Sequence, residues 1–327
     1  MQKNNHSLFG QIVLLIICTI ALSIAFLMIH AARTVFRSQI PFFQLIDHQD
    51  GKVVTLEVGP EPAAFTGVVD LTPSPTTTIY MILGSDFRPE SGYRTDVLML
   101  VAVDSLSGKV SLVSFPRDLW VTIPGYFEER INAVMQVGGF QLLANTMQTN
   151  FGIYPTDYVM VDMEGFLGII DVIGGVTFET EFQTADACDS SLDPDRWCEV
   201  GPGKVTLDKD WALWYVRARY NSSDFDRLRR TQEVVQAVAK KVISPTGWLK
   251  WPALMDVYAS EVESNLNPHE LLPFIRFAFG FDPDEDIRRY TIGPNEAVGY
   301  LTADGAQVLI PNVPLIQSIL QEALYFE

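Results

Sequence analysis

Histidine and cysteine are scarce in this chain of 327 residues, which has four His and three Cys. His6 and His30 fall within the first 32 residues, His48 follows them, and His269 opens a predicted helix, so no histidine stands among the motifs described below. Nucleophilic catalysis driven by histidine is disfavoured accordingly. Three cysteines exclude a disulfide-dense miniprotein. There is no C-x-x-C, no H-E-x-x-H, no G-x-S-x-G and no phosphate-loop G-x-x-x-x-G-K. Acidic side chains are missing altogether from residues 1–40, which carry Lys3, Arg33 and Arg37, so all 40 acidic residues face only 20 basic ones in the remainder. Such a body repels nucleic acid, whose nonspecific affinity comes from Lys and Arg on phosphates. A composition of 48% hydrophobic and 19% charged residues excludes disorder, and the length suits one large α/β domain or two ordinary ones.

Residues 12–29 (IVLLIICTIALSIAFLMI) are almost continuously apolar, enough for a helix to cross about 30 Å of hydrocarbon. A cleaved signal peptide is the rival, but the run exceeds the usual apolar core of about 7 to 15 residues, and no A-x-A site follows. The chain therefore reads as a short tail at 1–11 and a transmembrane anchor at 12–32. Charge leaves its orientation nearly tied, with Lys3 on one side and Arg33 and Arg37 on the other. Cys18 lies inside the anchor, leaving Cys188 and Cys198 in DACDSSLDPDRWC. A loop disulfide outside the cytoplasm fits this pair, two free thiols being the alternative. With no histidine nearby, the spacing specifies no metal site.

Residues 33–76 read as a juxtamembrane segment and linker ending in LTPSPTTT, and 77–327 as the body. Strands are expected at 78–83, 97–104 and 109–115, the last two joined by a tight turn from Asp104 to Gly108, then at 157–162, 175–180 and 287–293. Helices are expected at 138–150, 164–173, from Leu207, at 224–243, 247–264, 268–279 and 313–325. Strands alternating with helices predict an α/β fold, with a mixed, mostly parallel central sheet covered on both faces.

Aspartate and arginine stand just beyond these strands: GSDFR at 84–88 after the first, YRTD at 93–96 before the second, SFPRD at 114–118 ending the third. Ligands of open α/β sheets bind beyond the carboxyl ends of strands. Asp86, Arg88 and Arg117 are thus candidates for one crevice, joined by Arg94 and Asp96 if the segment 84–95 folds back. A second cluster is VRAR at 216–219 with DFDRLRRTQ at 224–232; Arg217 and Arg219 converge only if the helix stops near Val216. Of the 23 basic residues 15 are Arg, whose planar fork suits phosphate oxygens. Two aspartates beside them suggest a divalent cation. The bland alternative for any single pair is a surface ion pair worth about 0–1 kcal/mol.

Taken in order, GSDFR, YRTDVLMLVAVD, VSLVSFPRDLWVTI, RINAVMQVGG, IDVIGGV and WYVRARYNSSDFDRLRRTQEVV behind an anchor resemble the LytR-CpsA-Psr family of bacterial envelope proteins, over about residues 77–243. The resemblance implies a three-layer α/β/α sandwich preceded by one transmembrane helix. It also implies an extracytoplasmic phosphotransferase moving a glycopolymer from a polyprenyl pyrophosphate carrier to peptidoglycan or another wall acceptor. By matching motif, Asp86 and Asp96 would hold magnesium, and Arg94, Arg117, Arg217, Arg219 and Gln232 would hold the pyrophosphate, with Arg88 and Asp226 as further candidates. Asp96, Arg117, Arg217 and Arg219 would be the catalytic set. Thr231 replaces a common Gln, and Arg130 a common Lys. For the lipid tail, the helices around Phe140, Leu142, Leu143, Phe166 and Ile170 offer apolar side chains that equally suit the core. The competing functions are a non-catalytic polyprenyl-phosphate receptor or scaffold, and a polyprenyl pyrophosphate hydrolase.

Overall fold

A computed structural model describes residues 67–88, 92–220, 223–266, 281–302 and 305–326, with the backbone alone at 87, 88, 92 and 93. All lie in the compact unit Val58–Glu327. The expected anchor, the segment to residue 66 and the helix at 268–279 fall outside the described residues. No helix among the described residues is long and apolar enough to cross a membrane.

The strands are β1 (Thr77–Arg88), β2 (Gly92–Asp104), β3 (Val110–Phe115), β4 (Trp120–Thr122), β5 (Glu128–Arg130), β6 (Asp157–Val161), β7 (Val176–Thr180), β8 (Thr184–Ala187), β9 (Trp197–Val200), β10 (Gly203–Leu207), β11 (Val262–Ser264), β12 (Ile287–Thr291), β13 (Ala297–Leu301) and β14 (Gln307–Pro311). The helices are α1 (Val134–Phe151), α2 (Met163–Ile173), α3 (Lys209–Arg217), α4 (Asp224–Val242), α5 (Pro245–Trp248), α6 (Trp251–Glu261) and α7 (Val313–Leu324).

Six strands form the central sheet in the order β11-β6-β1-β2-β3-β12. β6 pairs parallel to β1 and β12 parallel to β3, while β1–β2, β2–β3 and β6–β11 are antiparallel. The sheet is mixed, as expected, but less parallel than the strand-helix alternation implied. Its middle is a meander, and tight turns can join only antiparallel neighbours. The turn after β2 forms where expected, with the Ser107 N–H donating to Asp104 Oδ2 at 2.8 Å.

Side chains alternate across the sheet, so each face has its own cover. On the first face Met81, Leu83, Leu98, Leu100, Val113 and Phe115 join Leu143, Met147 and Phe151 of α1 and Ile316 and Leu320 of α7 in one buried core. α4 packs on β3 and β12 of the second face and α2 on β1 and β6, completing three layers. A second core gathers Ile170, Ile173, Val176, Tyr215 and Val234 from α2, β7, α3 and α4.

Three boundaries differ from expectation. The linker ends before residue 76, because the Leu71 N–H donates to the Gly152 carbonyl at 2.7 Å and Leu71 packs on the first core. The helix expected at 247–264 divides into α5 and α6 and gives way to β11, where Val262 is extended and pairs with Val161. GSDFR and YRTD are strand rather than loop: β1 and β2 form one long hairpin.

Candidate active site

The hairpin carries an irregularity that governs the site. Gly84 pairs with Val97 but Ser85 pairs with Thr95, so Asp96 is an extra residue in β2, a bulge that re-aims its side chain. A Cβ on residue 84 would lie 2.9 Å from Val97 Cβ, so only glycine permits this approach. Beyond the bulge Asp86 faces Arg94, two residues from Asp96; Arg94 is exposed.

Arg117 follows Pro116 at the end of β3. Its carbonyl accepts the Asn132 N–H at 3.2 Å, and the Asn132 carbonyl accepts the buried Thr95 hydroxyl at 3.1 Å. The R-I-N block thus ties the β3 exit to the bulged strand. Arg117 Nη1 donates to Asp96 Oδ1 at 2.9 Å and Nε to Asp118 Oδ2 at 3.4 Å, with Asp224 Oδ2 at 4.0 Å. Arg130 reaches Asp118 at 3.4 Å.

The third contribution comes from α3 and α4. α3 ends at Arg217 and Ala218 is extended (φ −53°, ψ 138°), the stop on which convergence of Arg217 and Arg219 depends. Both arginines are exposed. Asp224 opens α4, and its carboxylate accepts from Arg227 Nη2 at 2.9 Å; the same nitrogen lies 3.4 Å from the Asp96 carbonyl. Arg227 is only 5% exposed. Burial and the positive charges of Arg117 and Arg219 pull its guanidinium below the ordinary arginine value, against Asp224 and Asp96. Burial opposes the charge on Arg117 too, but Asp96, Asp118 and Asp224 outweigh it and hold that guanidinium above the ordinary value.

Of the residues singled out from sequence, Asp96 and Arg117 are therefore in direct contact, and Arg219 is close enough to Arg227 to act on its charge. Asp86 and Arg94 sit opposite one another on the same hairpin. The Arg88 side chain lies outside the described residues. Asp118, Asp224 and Arg227 were visible within the quoted blocks but not selected. For Asp224 and Arg227 the signal is the i, i+3 Asp–Arg spacing at the start of a helix; Asp118 carries none.

Several other singled-out side chains have protein partners. Gln232 is 3% exposed, and its amide nitrogen donates to Ser114 Oγ at 2.8 Å and to the Tyr290 carbonyl at 2.7 Å, so those donors bind protein and not a head group. Asp226 closes a capping box with Ser223 at the start of α4. Burial raises its pKa, but the Ser223 hydrogen bonds, with Arg229 and Arg230, bring it below the usual carboxylate range. Leu142, Leu143 and Ile170, offered as a lipid slot, are core; Phe140 stacks on Tyr158 at 4.5 Å and Phe166 packs on the second core. The thinner cover lies over the second sheet face, where Ile82, Val97, Val101 and Val159 are half-buried. Cavities of about 630 and 700 Å³ flank the far side of α4, lined by Glu179, Glu233 and Arg289, with no residue of the Arg117 cluster.

The LytR_cpsA_psr family model matches residues 64–322. The chain belongs to this family. Among relatives, "Regulatory protein MsrR" of Staphylococcus aureus is 30% identical over 215 residues, 65% of this chain and 63% of that protein. "Polyisoprenyl-teichoic acid--peptidoglycan teichoic acid transferase TagU" of Oceanobacillus iheyensis is 30% identical over 199 residues, 58% and 59% of the two chains. The chain thus spans under two thirds of these relatives' length. Bacillus subtilis TagV superposes with a TM-score of 0.63 at 24% identity, covering 78% of this chain and all of that one. A structure described as TagT bound to LI-WTA gives 0.61 at 21% identity over 79% and 94% of the two chains. These likenesses show the LytR-CpsA-Psr fold, a mixed sheet between helices.

Proposed function

We propose that the protein is a membrane-anchored, extracytoplasmic phosphotransferase that moves a glycopolymer from a polyprenyl pyrophosphate carrier to peptidoglycan or another wall acceptor. The observation that carries the reading is the meeting of Arg117, Arg227, Asp96 and Asp224 from β2, the exit of β3 and α4. A diphosphate is what such a set of guanidinium groups grips. Membership of the family and the TagU relative, whose name states teichoic acid transfer to peptidoglycan, support the polymer and the acceptor.

In this reading Arg94, Arg117, Arg217 and Arg219 neutralise the diphosphate and fix it in line with an acceptor hydroxyl. The hydroxyl oxygen bonds to the sugar-linked phosphorus, polyprenyl phosphate leaves, and Asp96 takes the hydroxyl proton. Asp86 and Asp96 fit magnesium by chemistry, since two carboxylates completed by substrate phosphate oxygens are a usual set for that ion. When bound, it would offset the charge that grows on the phosphoryl oxygens. The half-buried strip at Ile82, Val97, Val101 and Val159 suits an isoprenoid tail. The disulfide between Cys188 and Cys198 supports a body outside the cytoplasm, and the apolar run at 12–29 confines the enzyme beside its carrier.

The test is incubation of the full-length protein with a polyprenyl-pyrophosphate-linked glycan, magnesium and peptidoglycan. Transfer releases polyprenyl phosphate and leaves polymer covalently on the wall. Release without attachment would mean a hydrolase, and binding without release a receptor. Protease accessibility in wall-stripped cells checks the topology.

A further inference from the structure

Residue 220 follows the arginine pair, and Tyr220 is 53% exposed with its ring edge-to-face against Trp197, itself 38% exposed, at 4.7 Å between centroids. Surface aromatics are usually mobile, and these two are held from several directions. The Trp197 indole N–H donates to Glu199 Oε1 at 3.1 Å, and Glu199 Oε2 accepts from Gln183 at 2.9 Å. The neighbouring Cys198 is bonded to Cys188, closing the β8–β9 hairpin. Arg196, just before Trp197, has φ 57°, a left-handed conformation that a non-glycine residue adopts only where its surroundings impose it. From the same hairpin Asp186 Oδ2 accepts the successive N–H groups of Arg219 and Tyr220, at 2.5 and 3.1 Å. One braced hairpin therefore fixes both the backbone of Arg219 and an exposed aromatic pair.

We infer that Trp197 and Tyr220 form a stacking subsite for the pyranose ring joined to the diphosphate of the donor; this rests on the transferase reading. Pyranose rings present apolar C–H faces, and rigid aromatic rings cover them at little entropic cost. The donor is the fitting occupant because its first sugar is bonded to the phosphate that Arg219 would hold, and Tyr220 is the next residue. Asp186 is a positioning residue for both.

The experiment titrates full-length protein in detergent with farnesyl diphosphate and with farnesyl diphosphate carrying one N-acetylglucosamine, and separately with an N-acetylglucosamine tetrasaccharide as acceptor probe. The wild type is expected to bind the sugar-bearing probe about tenfold more tightly, a step of about 1.4 kcal/mol. Trp197→Ala should erase that difference while leaving farnesyl diphosphate affinity unchanged, which also shows the variant folded; Trp197→Phe should keep most of it. Equal binding of both probes by the wild type would overturn the subsite alone. An equal loss for both probes in Trp197→Ala would make the hairpin a structural brace, and a loss confined to an N-acetylglucosamine tetrasaccharide acceptor probe would move the subsite to the acceptor. Should the wild type bind neither probe, the transferase reading fails and takes this inference with it.

Discussion

On one face of the central sheet Met81, Leu98, Leu100 and Phe115 are wholly buried beneath α1 and α7, whereas on the other Ile82, Val97, Val101 and Val159 keep part of their surface. Both faces are mainly apolar side chains of neighbouring strands, so composition does little to separate them. The difference lies in the cover. α1 and α7 seal the first face with Leu143, Met147, Ile316 and Leu320, while on the second Leu112 and Ser114 of β3 and Met99 of β2 are buried and the four side chains around them stay half-covered. The polar cluster of Asp96, Arg117, Asp224 and Arg227 gathers beside the N-terminal turn of α4. A sheet that seals one face and leaves the other partly open assigns the two faces to alternate residues of each strand.

The sharpest way to break this comparison is a pair of truncations. Phe115→Ala on the sealed face should cost about 3–5 kcal/mol of stability in denaturant unfolding, because the α1 cover cannot collapse into the void beside Phe151. A smaller effect on stability, but a large one on chemistry, is expected for Arg117→Ala. Loss of one charge-stabilising group should lower transfer about 10²–10³-fold, measured as released polyprenyl phosphate. Its partners are a quarter exposed, so the unfolding midpoint should move far less than in Phe115→Ala. Full activity in Arg117→Ala would dismiss the cluster as the reaction centre.

Val101→Ala on the half-covered face should cost only about 1 kcal/mol in unfolding, since its site already meets open space, yet weaken binding of a long-chain polyprenyl phosphate. If Val101→Ala destabilised as much as Phe115→Ala, the two faces would not differ as described. The smallest effect belongs to the α4 cap. The folded pKa of Asp226 is depressed, with the Ser223 bonds outweighing burial, so its contribution is present above the ordinary aspartate value and lost as pH falls through the lower folded one. Asp226→Asn should therefore flatten the acid limb of the stability-pH curve by under about 1 kcal/mol.

Much of the fold was readable from periodicity: the apolar runs of β1, β2 and β3, the long amphipathic α4 and the Asp104 turn all appear where alternation and turn residues put them. The polar extension of the β1–β2 hairpin was not, because beyond Gly84 the strands leave the core and their alternation carries no apolar signal. The small β8–β9 hairpin (TADA, WCEV) is short and weakly apolar too, whereas β13 (AVGYL) and β14 (QVLIP) carry apolar residues that no expectation covered. Asp96 and Arg117, singled out in separate blocks, do meet; Asp224 and Arg227 join them without having been singled out, and the Gln232 amide nitrogen is taken by Ser114 and Tyr290. Whether an amide faces a ligand or a neighbouring strand depends on what lies across from it, and Ser114 is 118 residues away.

Order along the chain was enough to establish an apolar run at 12–29, an α/β pattern, a cysteine pair that does close, and a succession of motifs that belongs to one family. Those are properties of neighbours, which local periodicity and spacing express. Packing alone settled which charges meet, since Arg227 reaches the Asp96 carbonyl across 131 residues and Arg117 reaches the Asp96 side chain through a one-residue bulge. Strand register and helix docking place such groups within 3–4 Å of one another, and neither is a property of any single segment.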